Sequence, residues 1–421
     1  PRPALVLQEV RFGNAAWGSR PLLAQAGRAS AEIDLRALLS RRLRIERIEV
    51  SDASVFLETD PNGNGNWVLG LPDAGAPAWL ESLQINELTL ESLALAYRDG
   101  ATGKTAAAQV DAARIDAPGE ARPIRLSARG QFAGKQVEVA GTIGALRALL
   151  ADSPAYPVDL EGKVGAASVS LRGTIDKPRT LGGLKLTMRV QTAEPGEIAA
   201  LFGASLPPLG AIRGEAQLTG TAVAPAFSAI DATIGGNGMP EIRLRGAIAN
   251  PRAASGIDLK VAASATRWWR FGTAASGPRL PPFRANARLR DAPQGYRLDD
   301  LELKIADSTV NASLQVVQRG PRLRVTGKAA AALIDLARLA PEPAAATAPR
   351  AAAAPPRAAG HWKLVDMDLD LNIGRLVFPG GRELRSGSGR IALEDGRLHA
   401  KGLQAMFGGA KSVTFPVAEQ A

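Results

Sequence analysis

Apolar and polar residues alternate one for one along most of this chain. In Leu184-Lys185-Leu186-Thr187-Met188-Arg189-Val190-Gln191 one set is Leu, Leu, Met, Val and the other is Lys, Thr, Arg, Gln. Ile242-Arg243-Leu244-Arg245-Gly246-Ala247-Ile248, Ile257-Asp258-Leu259-Lys260-Val261 and Val365-Asp366-Met367-Asp368-Leu369-Asp370-Leu371-Asn372-Ile373 repeat the design. Successive side chains of a strand point to opposite faces, so each segment predicts a strand with one apolar and one wet face. Parallel strands would read as continuous apolar runs, so the pattern predicts antiparallel sheet covered on one side. Turn signals punctuate it at Arg98-Asp99-Gly100, Asp176-Lys177-Pro178, Asn250-Pro251, Asp291-Ala292-Pro293 and Asp395-Gly396. Helical stretches are few: Ile33 to Ser40, Glu194 to Phe202 and Ala329 to Leu339.

Leu171-Arg172-Gly173-Thr174-Ile175 recurs as Leu244-Arg245-Gly246-Ala247-Ile248, and Leu206-Pro207-Pro208 as Leu280-Pro281-Pro282, at nearly one offset. A degraded third copy begins near Arg324-Val325-Thr326-Gly327. Repeats of several strands suggest a sheet that grows by adding similar units. Residues 341–360 are almost entirely Ala and Pro and cannot bury a core, so they read as a linker. The expected organisation is an N-terminal β region with a short helix over 1–120, a repeat-containing region over 121–340, the linker, and a strand-rich segment over 361–421. The fold class expected is mostly β: an elongated, twisted antiparallel sheet curled into an apolar groove, with a few short helices.

Composition narrows the chemistry. There is no Cys among 421 residues, which removes disulfides, zinc–thiolate sites and thiol catalysis. Two His, His361 and His399, lie far apart with no clear partners. Basic residues exceed acidic ones by 51 − 41 = 10, a modest bias over this length, and the Arg are spread over the wet faces of many strands. A nucleic-acid binder would cluster them among aromatics. No apolar run is long enough for a transmembrane helix, and three Tyr with irregularly spaced Trp argue against the aromatic girdles of a transmembrane barrel. The opening Pro1 to Leu7 is not a signal peptide and reads as the interior of a longer protein.

Local motifs fail on inspection. Gly103-Lys104-Thr105 lacks the earlier Gly of a phosphate-binding loop, because Arg98 stands there, so it reads as a hairpin tip. Asp366-x-Asp368-x-Asp370 has Leu371 where a calcium loop needs Gly, so it reads as the solvated face of a strand. Trp268-Trp269, between Arg267 and Arg270, reads as paired core aromatics or as an interfacial contact. No paired acids, metal ligands or cofactor fingerprint stand out, and no enzymatic activity or cofactor is expected.

Four N-terminal blocks carry a resemblance. Val10-Arg11-Phe12-Gly13-Asn14 is followed by Ile33-Asp34-Leu35-Arg36-Ala37-Leu38-Leu39, then by Leu43-Arg44-Ile45-Glu46-Arg47-Ile48-Glu49-Val50 and Gly63-Asn64-Gly65-Asn66-Trp67. In this order the region resembles the AsmA family of bacterial envelope proteins. Gly387 to Gly409, with Leu393-Glu394-Asp395-Gly396 and Phe407-Gly408-Gly409, resembles that family's C-terminal region. The resemblance implies a Gram-negative periplasmic protein, tethered to the inner membrane by an N-terminal segment absent from this chain. It implies a bridge-type lipid transfer protein supporting outer membrane biogenesis, with phospholipid or another acyl lipid and the envelope membranes as partners, and no nucleic acid. The expected groove lining is Leu184, Leu186, Met188, Val190, Ile242, Leu244, Ile248, Ile257, Leu259, Val261, Leu369 and Leu371. Many inward positions are Ala or Gly, and small residues leave room for an occupant. The alternative is a structural or assembly factor for the outer membrane that conducts no lipid and binds clients at a sheet edge.

Overall fold

The computed structural model describes residues 3–39, 44–68, 84–119, 121–196, 210–236, 239–270, 279–320, 322–339, 365–394, 397–407 and 411–415. These residues are mostly strand, as the alternation predicts, with short helices at Leu35–Leu39, Leu146–Leu150 and Leu336–Leu339 and helical residues at 195–196. The chain divides into two compact units, one of Pro1–Leu206 with Ile212–Phe227 and the other of Pro207–Ala211 with Ser228–Ala421.

The first unit holds β1 (Ala4–Gly13), β2 (Leu22–Ile33), β3 (Arg44–Glu58), β4 (Gln84–Arg98), β5 (Thr105–Asp116), β6 (Pro123–Phe132), β7 (Lys135–Ala145), β8 (Tyr156–Val164), β9 (Ala167–Lys177), β10 (Gly182–Thr192) and β11 (Ile212–Thr221). Each pairs with the next in sequence, and all pairs are antiparallel except β3–β4. The sheet runs unbroken past residue 120 because β5 pairs with β6. The division between units falls within β12 (Pro225–Gly236).

The second unit holds β13 (Met239–Asn250), β14 (Ser255–Ala265), a small ladder of β15 (Trp269–Arg270) with β16 (Arg279–Leu280), then β17 (Phe283–Ala292), β18 (Gly295–Ile305), β19 (Ser308–Arg319), β20 (Arg322–Asp335), β21 (Val365–Val377), β22 (Glu383–Glu394), β23 (Arg397–Phe407) and β24 (Lys411–Phe415). The pairing is again sequential, with β17 against β14, and only β20–β21 is parallel.

That parallel pair joins the last strand-rich segment to the strands before it. Leu323 opposes Val365 and Asp335 opposes Val377, so β21 belongs to the same sheet as β20. The chain leaves β20 at one end and enters β21 at the other. The Ala/Pro stretch 341–360, which the sequence reads as a linker, lies outside the described residues.

One helix expectation changes. Ala329 to Leu339 is strand as far as Asp335, and only Leu336–Leu339 is helical. Ala favours helix, but Ala329 and Ala331 oppose Ala312 and Val310 on one side and Leu371 and Ile373 on the other, and ladder pairing on both edges overrides propensity. Of the helix expected over Glu194 to Phe202, residues 195–196 are helical and 197–202 lie outside the described residues.

Strict alternation fails in one instructive way. Glu9, Gly27, Asp52, Ser92 and Asp111 fall at matching positions of β1 to β5, where the regular pairing is interrupted. Glu9, Asp52 and Ser92 have φ of 53°, 53° and 56°. Each interruption reverses the phase of alternation, as a bulge does, and bends the strand. It keeps Leu5, Leu7, Val10 and Phe12 in ladder with apolar partners throughout, and does the same for Leu88, Leu90, Leu93 and Leu95.

The repeated glycine has a backbone reason. Gly173 and Gly246 have φ of 149° and 146°. A Cβ at Gly173 would lie 2.2 Å from the Lys185 carbonyl oxygen, and one at Gly246 would lie 2.0 Å from that of Asp258. Gly327, in the degraded third copy, meets the Ser313 carbonyl in the same way at 2.1 Å. Gly246→Ala is therefore expected to cost about 2–3 kcal/mol, measured by urea unfolding. A change below about 0.5 kcal/mol would show that the strand relaxes freely there.

Candidate functional site

The ladders of the first unit assemble an uninterrupted apolar face. One row of directly opposed residues reads Leu5, Ala31, Ile48, Leu88, Ile115, Leu126, Gly141, Leu160, Leu171, Met188 and Ala216 across eleven strands. The next reads Leu7, Ala29, Val50, Leu90, Ala113, Ala128, Val139, Gly162, Val169, Val190 and Gly214. No polar side chain interrupts either row. The intervening residues carry charge. Arg189 bonds Glu215 at 2.6 Å, Arg172 bonds Asp159 at 2.8 Å, and Arg47 and Arg114 flank Glu87 at 3.5 and 3.3 Å.

The second unit repeats the arrangement. Gly246, Leu259, Leu289, Leu298, Leu314, Gly327, Leu369 and Ile391 form one row over eight strands. Ile242, Ala263, Ala285, Leu303, Val310, Ala331, Ile373 and Gly387 form another.

Cover over these rows is thin. In the two rows of the first unit only Ala216 is buried, and Leu5 and Leu7 are exposed. In the first row of the second unit only Leu259 is buried. Residues facing a second packed layer would be shielded throughout, as in a sandwich core. Half-buried leucines in register over many strands instead make an apolar surface far larger than the scattered patches of ordinary soluble proteins.

One end of the first unit is closed. Leu184 and Leu186 are buried with Tyr156, Val158 and Ile175, and Ala148 and Leu149 of the helix Leu146–Leu150 pack against them. The Tyr156 hydroxyl donates to the Gly144 carbonyl at 2.7 Å, fixing the chain where it enters this helix, and burial pushes its pKa up. Leu184 and Leu186 are thus packed under a helix, while Met188 and Val190, farther along β10, stand half-covered. In the second unit Ile242, Leu244, Ile248, Ile257, Leu259, Val261, Leu369 and Leu371 lie in rows of one face, and only Leu259 is buried. Lys185, Arg189, Arg243 and Lys260 are exposed, as their phase predicts.

At the opposite end of the first unit, two of the sequence blocks meet. Asn66 donates to Asn14 Oδ1 and to the Phe56 carbonyl, both at 2.9 Å, and its own Oδ1 accepts the Glu58 N–H at 2.9 Å. The Glu58 carboxylate accepts from Asn14 at 2.9 Å, from the Ser19 N–H at 2.7 Å and from the Ser19 hydroxyl at 2.6 Å. Arg98 stands 3.8 Å away. Trp67 packs 6.5 Å from Tyr97, centroid to centroid. Asp60 holds the turn between them, accepting from the N–H groups of Asn62 and Asn64. The network ties the β1–β2 loop to the end of β3, and its bonds run between residues of the chain, as a structural network's do. Glu58 and Ser19 carry no local motif, and sequence reading missed them.

Burial opposes the charge on Glu58, whose side chain is 3% exposed, but the bonds from Ser19 and Asn14 and the charge of Arg98 outweigh it and lower its pKa. Its stabilising contribution is therefore complete above the ordinary carboxylate range and is lost as pH falls through the lowered folded value. Glu58→Gln is expected to cost about 2 kcal/mol at neutral pH, and the gap in melting temperature to the wild type should close on acidification. Parallel curves from pH 7 down to acid would contradict this role.

The remaining motifs resolve as ordinary structure. Gly103-Lys104-Thr105 lies in the β4–β5 turn, where Asp99 accepts from the N–H groups of Ala101 and Thr102. Asp366 pairs with Arg322, and Asp368 with Arg390 and Arg324, so these acids belong to inter-strand ion pairs. His399 opposes Ala392 in the β22–β23 ladder, and His361 lies outside the described residues. Among the described residues no three His, Asp or Glu side chains converge as metal ligands, and no helix is long and apolar enough to cross a membrane. Comparisons with protein-family models, curated proteins and solved structures give no match.

Proposed function

We propose that this chain is an AsmA-like periplasmic lipid-binding protein, the apolar sheet face of each unit sheltering acyl chains for transfer between the envelope membranes in support of outer membrane biogenesis. The supporting observation is the set of apolar rows, continuous over eleven strands in one unit and eight in the other, with so few of their side chains buried. An acyl chain of about sixteen carbons forfeits roughly 13 kcal/mol on entering water, at about 0.8 kcal/mol per methylene. A uniform lining holds that energy nearly level from strand to strand, so a chain can slide. Gly141, Gly162, Ala29, Ala31 and Ala113 leave depth for it. The work requires no covalent step, and the chain acts without catalysis or cofactor. Tethering to the inner membrane is part of the same reading.

The test is mass spectrometry of organic-extractable material from protein purified under mild conditions. Acyl lipid in roughly stoichiometric amount supports the proposal. Lipid-free protein that also fails to take up lipid from vesicles contradicts it.

A second reading rests on β1. Its Leu5, Val6, Leu7 and Phe12 are 53, 45, 48 and 51% exposed, and among the described residues it pairs only with β2. An exposed apolar edge invites strand addition. On this reading the protein is an outer-membrane assembly factor that binds client strands and conducts no lipid, and lipid-free active protein would favour it.

A further inference from the structure

A second surface, separate from the apolar rows, has its own chemistry. Residues 259–290 contain seven Lys or Arg and no Asp or Glu. Arg288 and Arg290, near the far end of β17, are engaged by Asp258. Arg267 and Arg284 form no ion pair among the described residues, and both are exposed. Ser264 opposes Glu241 in β13 and Arg284 in β17, which places Arg267, Arg284 and Met239 at one end of this ladder. Glu241, the acid of that row, is taken by Arg243 at 3.2 Å.

Aromatic residues share this end. Trp269 packs on Phe283, with ring centroids 6.0 Å apart, and this anchors the segment. Trp268 is left 36% exposed and Met239 40% exposed.

We propose that this end of the β13–β14–β17 ladder, through Trp268, Met239, Arg267 and Arg284, docks on an anionic lipid bilayer. An indole settles at the headgroup level, with its ring in the apolar boundary and its N–H among polar groups. The guanidinium groups of Arg267 and Arg284 bind the phosphates, and their stems follow the apolar side chains inward. Exposed Met239 adds apolar surface that can enter the headgroup boundary with the indole, which favours the bilayer over a soluble polyanion. The proposal is independent of whether the apolar rows hold lipid.

The test is cosedimentation of the full chain with phosphatidylcholine vesicles, with and without phosphatidylglycerol, paired with Trp quenching by lipids brominated on their acyl chains. The wild type should bind the anionic vesicles, lose binding in high salt, and show quenching that is reduced in Trp268→Phe. The double variant Arg267→Glu, Trp268→Ser should bind about tenfold more weakly, with an unchanged melt and unchanged extractable lipid. Absence of vesicle binding, equal binding by the double variant, quenching undiminished in Trp268→Phe, or capture by heparin without any quenching would each overturn it. Should the double variant fold poorly, the quenching comparison with Trp268→Phe decides. Loss of extractable lipid from the wild type with vesicle binding intact would count against the groove alone.

Discussion

Leu186→Asp should unfold the first unit at temperatures where the wild type is stable, with a loss of about 4–5 kcal/mol. Leu186 is 5% exposed and packed among Tyr156, Val158, Ile175 and Leu184 under the helix Leu146–Leu150. Removing its side chain from the cluster costs about 2–3 kcal/mol before any charge is counted. A carboxylate with no partner there adds its own desolvation cost. Circular dichroism melts and urea titrations read the effect. A variant that melts within a few degrees of the wild type would show that the helix does not seal this end.

Leu244→Asp is expected to behave in the opposite way. Leu244 opposes Val261 in an open row and is only half-buried, so the new carboxylate keeps access to water. The melt should move by less than about 1.5 kcal/mol. Lipid recovered with the protein should fall at least about tenfold, because a charge in the path of an acyl chain costs several kcal/mol. Read from alternation alone, Leu186 and Leu244 are equivalent. The helix Leu146–Leu150 separates their roles, and the contrast between the variants distinguishes a sealed core from an open lining. Unfolding of Leu244→Asp would mean that its face is also a packed interior.

Alternation made the strands and their wet faces legible because period two is a direct consequence of the pleat. It also hid a regularity. Five strands carry apolar residues at n, n+2, n+5 and n+7, as in Leu5, Leu7, Val10, Phe12 and again in Leu88, Leu90, Leu93, Leu95. The polar doublet in the middle marks the bulge line, and read as strict alternation it breaks the face in two. The helix Leu146–Leu150 was missed although its five residues repeat those of Leu35–Leu39 letter for letter. The parallel pairing of β21 with β20 was illegible because strand direction is set by which edge is free, and composition does not record it. Asn14 and Asn66 stand in two of the blocks that carry the resemblance, but their meeting at Glu58 depends on register between β1, β2 and β3. Glu58 itself looks like any acid at a strand end.

The most direct measurement is photo-crosslinking from adjacent positions on opposite faces. A photoreactive residue at Leu126 or Leu298 lies in an apolar row, and one at Ser127 or Arg297 lies one residue away on the exposed face. With the full chain in contact with radiolabelled phospholipid, positions 126 and 298 should label the acyl chain and positions 127 and 297 should not. Equal labelling of both faces, or none at 126 and 298 in folded protein, would contradict the lipid-sheltering account.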